Sequence, residues 1–301
     1  MIDRIKFYIK DVDFDDVEKR LDLIPTSIAK DGSYNYSANI NNLRVDYKGK
    51  CLWIDGSLHK YAKGNNYSLF TYEEAKIAIR ELSEYVGISL EHFIVSKMEL
   101  GLNLPISHNS ERYLEILHSY KGHPFIYMSP YSKTSKLKGR ECHFSEYQIK
   151  FYDKTFEAMK RERNKEERKK IPANILRFEI DLYRNKLSDE GFKNVTGKNL
   201  QSPLHYTRLK KLMERIFFGI VFNDISINYS SILEDEVKRY IFATSDGYDR
   251  YLQYLKEYIG KKEYRKEKRR TNNLFKKIAP LRKGELEAEL KLKFKLAISK
   301  I

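Results

Sequence analysis

The chain has 301 residues, with 57 Lys and Arg against 42 Asp and Glu, a formal charge of +15 and a pI of 9.4. That length suits one large domain or two smaller ones, and the positive excess points to a polyanion, above all nucleic acid. No apolar run approaches the roughly 20 residues of a spanning helix, the longest candidate being Ile216 to Val221, so no membrane partner is expected. The start, Met1-Ile2-Asp3-Arg4-Ile5, lacks the apolar stretch of a signal peptide. Cys51 and Cys142, with no CxxC, argue against a disulfide framework or a cysteine zinc site and for a reducing cytoplasm.

In chain order, Ile5 to Ile9 reads as a strand, and Asp13 to Leu23 as a short helix ended by Pro25. Residues 34–56 read as a β-meander: Leu43, Val45 and Tyr47 alternate with Arg44, Asp46 and Lys48, a turn follows at Gly49, and Leu52 and Ile54 alternate with Trp53 and Asp55. Thr71 and Glu74 have capping-box spacing. They open a helix with the apolar stripe Ala75, Ile77, Ala78, Leu82 and Val86, closed by Gly87. A strand from Val95 to Leu104 precedes a helix from Ser110 to Tyr120. Residues 121–140, with the basic run Lys133, Lys136, Lys138 and Arg140, read as a loop or open hairpin. The strand Gln148–Lys154 leads into a charged helix from Thr155 to Lys170, stopped by Pro172, and then into the strand Ile175–Tyr183.

Past residue 200 the pattern turns helical. Ser202-Pro203 is a cap followed by proline at the first helical position, and Leu209, Leu212, Met213, Ile216 and Phe217 give the stripe behind it. Further helices are expected over 231–243, 247–259, 263–278 and 283–299. The division is therefore a mixed α and β part over 1–200, with mostly antiparallel strands, and a basic helical part over 201–301.

Three strands keep chemistry on one face, because side chains alternate along a strand. Met98, Leu100, Leu102 and Leu104 oppose Lys97, Glu99 and Asn103; Ile149 and Phe151 oppose Lys150, Tyr152 and Lys154; Leu176, Phe178, Ile180 and Leu182 oppose Arg177, Glu179, Asp181 and Tyr183. If they pair, one sheet face is core and the other carries carboxylates, a tyrosine and lysines. Tyr152 is then the candidate nucleophile. A free phenol, with a pKa near 10, needs help from a divalent cation or from a neighbouring ammonium such as Lys150 or Lys154. Glu99 and Glu179 are candidate oxygen ligands for Mg²⁺ or Mn²⁺, with Asp181 in reserve. The run from Asp55 to Tyr67 holds small, polar and basic residues: Lys60 and Lys63 could approach phosphate, and His59 or Asn65 could supply a ligand. Lys261, Lys262, Arg265, Arg269 and Arg270 outnumber the acids of their segment and suit phosphate contact. Each of these residues is also compatible with a plain solvated surface.

Four segments in order carry a family resemblance: Gly56-Ser57-Leu58-His59-Lys60-Tyr61 with Lys63-Gly64-Asn65-Asn66; Val95-Ser96-Lys97-Met98-Glu99-Leu100; Ile149-Lys150-Phe151-Tyr152-Asp153-Lys154; and Ile175-Leu176-Arg177-Phe178-Glu179. Over residues from about 50 to 190 the chain resembles the filamentous-phage gene II replication proteins and related rolling-circle initiators of the wider HUH-like class. The resemblance implies an α+β fold, a central antiparallel sheet with helices on one face. It implies a metal-dependent enzyme that nicks and rejoins single-stranded or supercoiled origin DNA through a covalent 5′-phosphotyrosine. Tyr152 falls on the nucleophile position, Glu99 on the acidic strand position and Glu179 in the Arg-x-Glu strand. Lys60, Lys63, Asn65, Lys150 and Arg177 fall in segments that would face DNA. The family's glycine–histidine–asparagine segment reads Gly64-Asn65-Asn66 here. Either His59 compensates, or oxygen ligands hold the metal, or that histidine is not a ligand. The basic C-terminal helices would bind origin DNA or dock a host helicase or polymerase. Two other readings stay open: an origin-binding regulator that does not cut, and a relaxase or transposase with the same chemistry. The resemblance leaves the oligomeric state and the role of a second tyrosine, Tyr147 or Tyr183, open.

Overall fold

The computed structural model describes residues 1–128, 138–183, 194–224, 232–245, 247–281 and 284–301. The chain begins with β1 (Ile2–Ile9), α1 (Phe14–Glu18), β2 (Ile24–Ile28), β3 (Tyr34–Ile40), β4 (Leu43–Lys48) and β5 (Cys51–Ser57). There follow α2 (Leu58–Lys63), α3 (Tyr72–Val86), β6 (Ile94–Pro105), α4 (Ser110–Glu115) and four strands, β7 (Leu117–Tyr120), β8 (His123–Pro124), β9 (Ile126–Tyr127) and β10 (Gly139–His143). Then come β11 (Tyr147–Asp153), α5 (Lys154–Arg161), α6 (Lys165–Lys169), β12 (Ile175–Tyr183), α7 (Gly197–Leu200), α8 (Pro203–Phe218) and β13 (Ile220–Phe222). The chain closes with α9 (Glu234–Ala243), α10 (Gly247–Tyr254), α11 (Lys261–Ile278) and α12 (Glu285–Ser299).

The fold is α+β, with an antiparallel sheet at its centre and a helical C-terminal region. Among the described residues ten strands join in the order β2-β3-β4-β5-β1-β6-β12-β11-β10-β9, and β13-β7-β8 form a second, small sheet. The hairpin β4–β5 turns on Gly49 and Lys50, both at positive φ, between the paired Lys48 and Cys51. That is the two-residue turn whose twist matches its strands. β2 is an edge strand, which is why Pro25 can sit inside it without costing a ladder bond.

One face of the sheet is the core. Phe178 of β12 packs on Phe151 of β11 with ring centroids 4.9 Å apart, and on Phe217 of α8 at 5.4 Å. Phe217 stacks in turn on Phe294 of α12 at 3.9 Å. Helices from beyond residue 200 thus cover the apolar face of the sheet and share its core, so residue 200 is not a break in the packing. Helices α9 to α11 have small cores of their own, Tyr240 with Leu274 and Ile278, and Ala243 with Tyr248 and Leu252. No helix among the described residues is long and apolar enough to cross a membrane.

Several elements differ from the sequence reading. The first helix stops at Glu18, and Ile24–Ile28 pairs with β3 instead of serving as a helix end. The capping box of Thr71 and Glu74 forms and Gly87 closes α3 in the left-handed conformation, but Ile79, not Ile77, completes the buried stripe. Ile77 stands about 200° from Ala75 around the helix and is half exposed. The helix from Ser110 ends at Glu115, because Leu117–Tyr120 finds a pairing partner in Ile220–Phe222. The helix foreseen over 155–170 is two helices. Glu162 is extended, and Asn164 caps α6 by accepting from the Glu166 N–H. At the end of α10 one π-turn, Leu255–Ile259, continues the helix to Gly260. Lys133 and Lys136 lie outside the described residues; Lys138 pairs with Glu111, and Arg140 donates to the Leu117 carbonyl.

Candidate metal and tyrosine site

The opposite face of the central strands carries the charge. In the β6–β12–β11 register Asp181 lies opposite Glu99 and Gln148, Glu179 opposite Gly101 and Lys150, and Arg177 opposite Asn103 and Tyr152. The fourth contributor comes from β1. Ile2 pairs with Leu100 and Ile5 with Met98, so two residues, Asp3 and Arg4, face the single residue between those partners, Glu99. This β-bulge turns Asp3 off the core face and beside Glu99; bulges commonly re-aim a side chain next to a functional site.

Carboxylate oxygens of Asp3, Glu99 and Glu179 lie within 4.8 Å of one another. Asp3 and Glu179 are buried, and Glu99 is half-buried. The Tyr152 hydroxyl donates to Glu179 Oε1 at 2.6 Å. The same oxygen accepts from Arg177 Nε at 2.5 Å. Arg177 reaches on to Asp3 Oδ2, and its Nη1 donates to the Asn66 carbonyl and to Asn103 Oδ1, both at 2.9 Å. Asp3 is further held by the Ser57 hydroxyl and by Asn66 Nδ2 at 2.9 Å. Lys150 Nζ lies 3.8 Å from both Glu99 and Glu179 and 3.1 Å from Asp181. Lys154 is buried, pairs with Glu157 at 2.6 Å, and sits 5.8 Å from the centroid of the Tyr152 ring.

These contacts set the protonation of the site. Burial alone would push the Asp3 carboxyl up, but the Arg177 guanidinium and the Ser57 and Asn66 hydrogen bonds hold it well below the usual carboxylate range. Glu99 goes the other way: burial, then the charges of Glu179, Asp3 and Asp181, raise it well above that range. Burial and the Glu179 charge raise the Tyr152 phenol, so Tyr152 is a neutral hydrogen-bond donor. Burial, reinforced by the Arg177 charge, lowers Lys154.

Gly101 makes room for the arginine. A Cβ placed there would lie 2.7 Å from Arg177 Cζ and closer still to Nη2. Gly101→Ala is therefore expected to push the guanidinium off its carboxylates and to cost about 1–3 kcal/mol, the range for overpacking a filled interior. Urea denaturation measures it, and an unchanged midpoint would show that Arg177 has space to yield.

The carboxylates line a cleft of about 530 Å³. Around it stand Arg4, Arg44, Lys60, Lys97, Lys150 and Arg161. Carboxylates that could hold a divalent cation and cations that could meet phosphate oxygens thus line one cleft.

The sequence candidates fall into place unequally. Tyr152, Glu99, Glu179, Lys150 and Lys154 come together, and Lys60 lines the same cleft. His59 does not join the carboxylates. It is buried in α2, stacked on Phe70 at 4.7 Å, with Nε2 3.4 Å from Ser68 Oγ, and burial lowers its pKa to about 3. Asp3 takes its place in the candidate ligand set. Asn65 is a turn former: its Oδ1 accepts from the Tyr67 and Ser68 N–H groups. The neighbouring Asn66 is the one that reaches the site. Lys63 is turned to Glu74 at 2.6 Å. Arg177 is fully buried and pairs with Asp3 and Glu179, so it organises the carboxylates from beneath. Lys261, Lys262, Arg265, Arg269 and Arg270 lie on α11 and line no part of the cleft. Asp3 escaped the sequence reading because the bulge breaks the alternation that betrays the other acids.

No protein-family model matches this chain, and no curated protein matches it. A solved structure of a rolling-circle replication initiator protein from Geobacillus stearothermophilus is similar over 78% of this chain and 89% of that one, at 11% identity and a TM-score of 0.42.

Proposed function

We propose that this protein is a metal-dependent DNA nickase and strand-joining enzyme that starts rolling-circle replication through a covalent 5′-phosphotyrosine on Tyr152. The observation that carries the reading is the Tyr152 hydroxyl donating at 2.6 Å to Glu179, itself one of three clustered carboxylates.

The cluster fits a divalent cation. All three donors are carboxylates, the set that Mg²⁺ and Mn²⁺ prefer. Burial, and then the neighbouring carboxylate charges, raise Glu99, and a cation would relieve both. Asp3, Glu99 and Glu179 would hold it, with Ser57, Asn66 and Arg177 orienting them from behind. A bound cation supplies Lewis acidity toward a phosphate oxygen and stabilises charge as the phosphorus is attacked.

The protein's own residues do the rest. Tyr152 Oη attacks the phosphorus, and its proton passes to Glu179 Oε1, the oxygen already accepting it. The bond from phosphorus to the 3′ oxygen breaks, and that oxygen takes a proton from solvent to leave a free 3′-OH. Lys154 adds positive potential at the phenol as charge builds on it. Rejoining is the reverse: a 3′-OH attacks the phosphotyrosine, and Tyr152 departs with the proton held by Glu179. The phosphodiester is exchanged, so no nucleotide is consumed. Residues 1–200 would carry this chemistry, and the basic helices of 201–301 would engage origin DNA or a host replication protein, in the cytoplasm of a bacterial host.

The test is incubation of the protein with labelled single-stranded oligonucleotides tiling the replicon that encodes it, with Mn²⁺ or with EDTA. Cleavage only with Mn²⁺ is the expected result. Tight binding with no cleavage would favour the non-cutting regulator, and cleavage in EDTA would reject the metal.

Metal binding has its own readout. Saturating Mn²⁺ is expected to raise the melting temperature, since a ligand at about 100 times its Kd adds about 2.7 kcal/mol. Glu99→Gln is expected to lose most of that rise while melting near the wild type without metal. A full Mn²⁺ shift in Glu99→Gln would remove Glu99 from the ligand set.

A further inference from the structure

Helix α11 is held by α9 and α10 along its buried side, and at its flank Lys268 lies against Gly122 and the Phe275 ring lies 6.2 Å from His118. Thr271, Leu274 and Ile278 are buried, the Tyr248 hydroxyl and Thr271 Oγ1 are 2.6 Å apart, Arg239 pairs with Glu267, and Lys277 pairs with Glu236. These ties pin the helix to α9 and α10, so its outer face is formed before any partner arrives. Diametrically opposite the buried side, Arg265, Arg269, Asn272 and Lys276 fall within about 60° of one another around the axis. They share one shallow depression with Lys268 and Asn273. Arg265, Arg269, Asn272, Asn273 and Lys276 are exposed, and no ion pair among the described residues occupies their side chains.

We propose that α11 is a reading helix for the major groove of duplex DNA. A single helix with side chains, about 10–12 Å across, matches the roughly 12 Å groove of B-form DNA. From Arg265 to Lys276 the stripe runs about 16 Å, the rise of about five base pairs. Its composition is that of base readout. Arg and Lys bond guanine O6 and N7, and Asn bonds adenine N6 and N7. Lys261, Lys262 and Arg270 flank the stripe and suit the phosphates on either side. Single strands are a poorer fit, because the stripe presents no aromatic ring for a base to stack on. Double-stranded RNA is poorer again, because its deep, narrow major groove shuts side chains out. The chain would then grip duplex with α11 and cut single strand at Tyr152, as a protein must that finds a site before the strands part. The proposal shares with the nickase reading only its target, DNA, and stands or falls on binding alone.

The experiment selects from a random duplex pool with the full chain carrying Tyr152→Phe, so that cleavage plays no part. An enriched motif of about five base pairs is expected. Arg269→Lys, which keeps the charge, should retain overall affinity within about threefold and lose about tenfold of its discrimination at one position. Lys261→Ala with Lys262→Ala should weaken every sequence alike and make the salt dependence shallower by about two. No enriched duplex motif, or a motif that Arg269→Lys and Asn272→Ala leave unchanged, would overturn the proposal. Circular dichroism of each variant confirms that α11 remains folded. The nickase reading fails separately, in the single-strand assay with wild-type protein.

Discussion

Tyr152→Phe is expected to abolish strand cleavage to the limit of detection while leaving the protein folded and able to bind DNA. Phenylalanine keeps the ring in its place beside Gly139 and Arg177, so the change removes one oxygen and its hydrogen bond. Glu179 Oε1 keeps its other partner, Arg177 Nε at 2.5 Å. No buried carboxylate is left alone, and the stability change should stay within about 1–2 kcal/mol. The Mn²⁺-dependent rise in melting temperature should survive, because the phenol is not one of the three ligands. Loss of cleavage together with loss of the metal response would instead mean that Tyr152 shapes the metal site. Retained cleavage would put the nucleophile elsewhere.

Arg177→Met is expected to be the most destabilising change at the site. The guanidinium is fully buried and touches Asp3, Glu179, Asn103 and the Asn66 carbonyl. Methionine fills part of the volume but removes the guanidinium that pairs with both Asp3 and Glu179, leaving Glu179 with the more distant Lys150 at 3.8 Å. Breaking such a pair from one side costs about 3–5 kcal/mol. The deficit should shrink in acid. Asp3 is depressed in the native protein, so its contribution is fully present above the ordinary carboxylate pKa and is lost as pH falls below that value and through the lowered native one. Without the guanidinium, burial raises the Asp3 carboxyl, so the variant takes up that proton at a higher pH than the wild type and sheds the penalty in acid. Urea denaturation at neutral and acid pH reads both effects. A deficit under about 1 kcal/mol, or one that grows in acid, would contradict the account of Arg177 as the bridge.

Much of this arrangement could be read from residues because strand alternation is local. Glu99, Tyr152 and Glu179 sit on one face of adjacent strands, as the period of two requires, and Phe178 and Leu100 sit on the other. The capping box at Thr71 is equally local and formed as read. What escaped depends on distant pairing. Asp3 enters only through a bulge whose register is set by Leu100 and Met98, nearly a hundred residues away. Leu117–Tyr120 is a strand only because Ile220–Phe222 returns to meet it. Arg177 looks from its sequence like one more basic residue on a polar face. Its burial follows from Gly101 on the neighbouring strand, whose missing side chain is the space the guanidinium fills. His59 and Asn65 carry side chains that suit a metal site, yet one is spent on stacking and the other on a turn. Residue type could not distinguish Asn65 from Asn66; only the geometry of the turn aims Asn66 at Asp3.

The most direct test of the central claim is to find the atom that becomes covalently linked. Protein incubated with Mn²⁺ and a cleavable single strand would be trapped, digested with nuclease and trypsin, and analysed by mass spectrometry. Trypsin cuts after Lys150 and Lys154, which isolates the peptide Phe151-Tyr152-Asp153-Lys154. The account predicts that this peptide carries the nucleotide through a phosphodiester on Tyr152. An adduct on another tyrosine, such as Tyr147 or Tyr183, or cleavage that leaves no adduct, would contradict it.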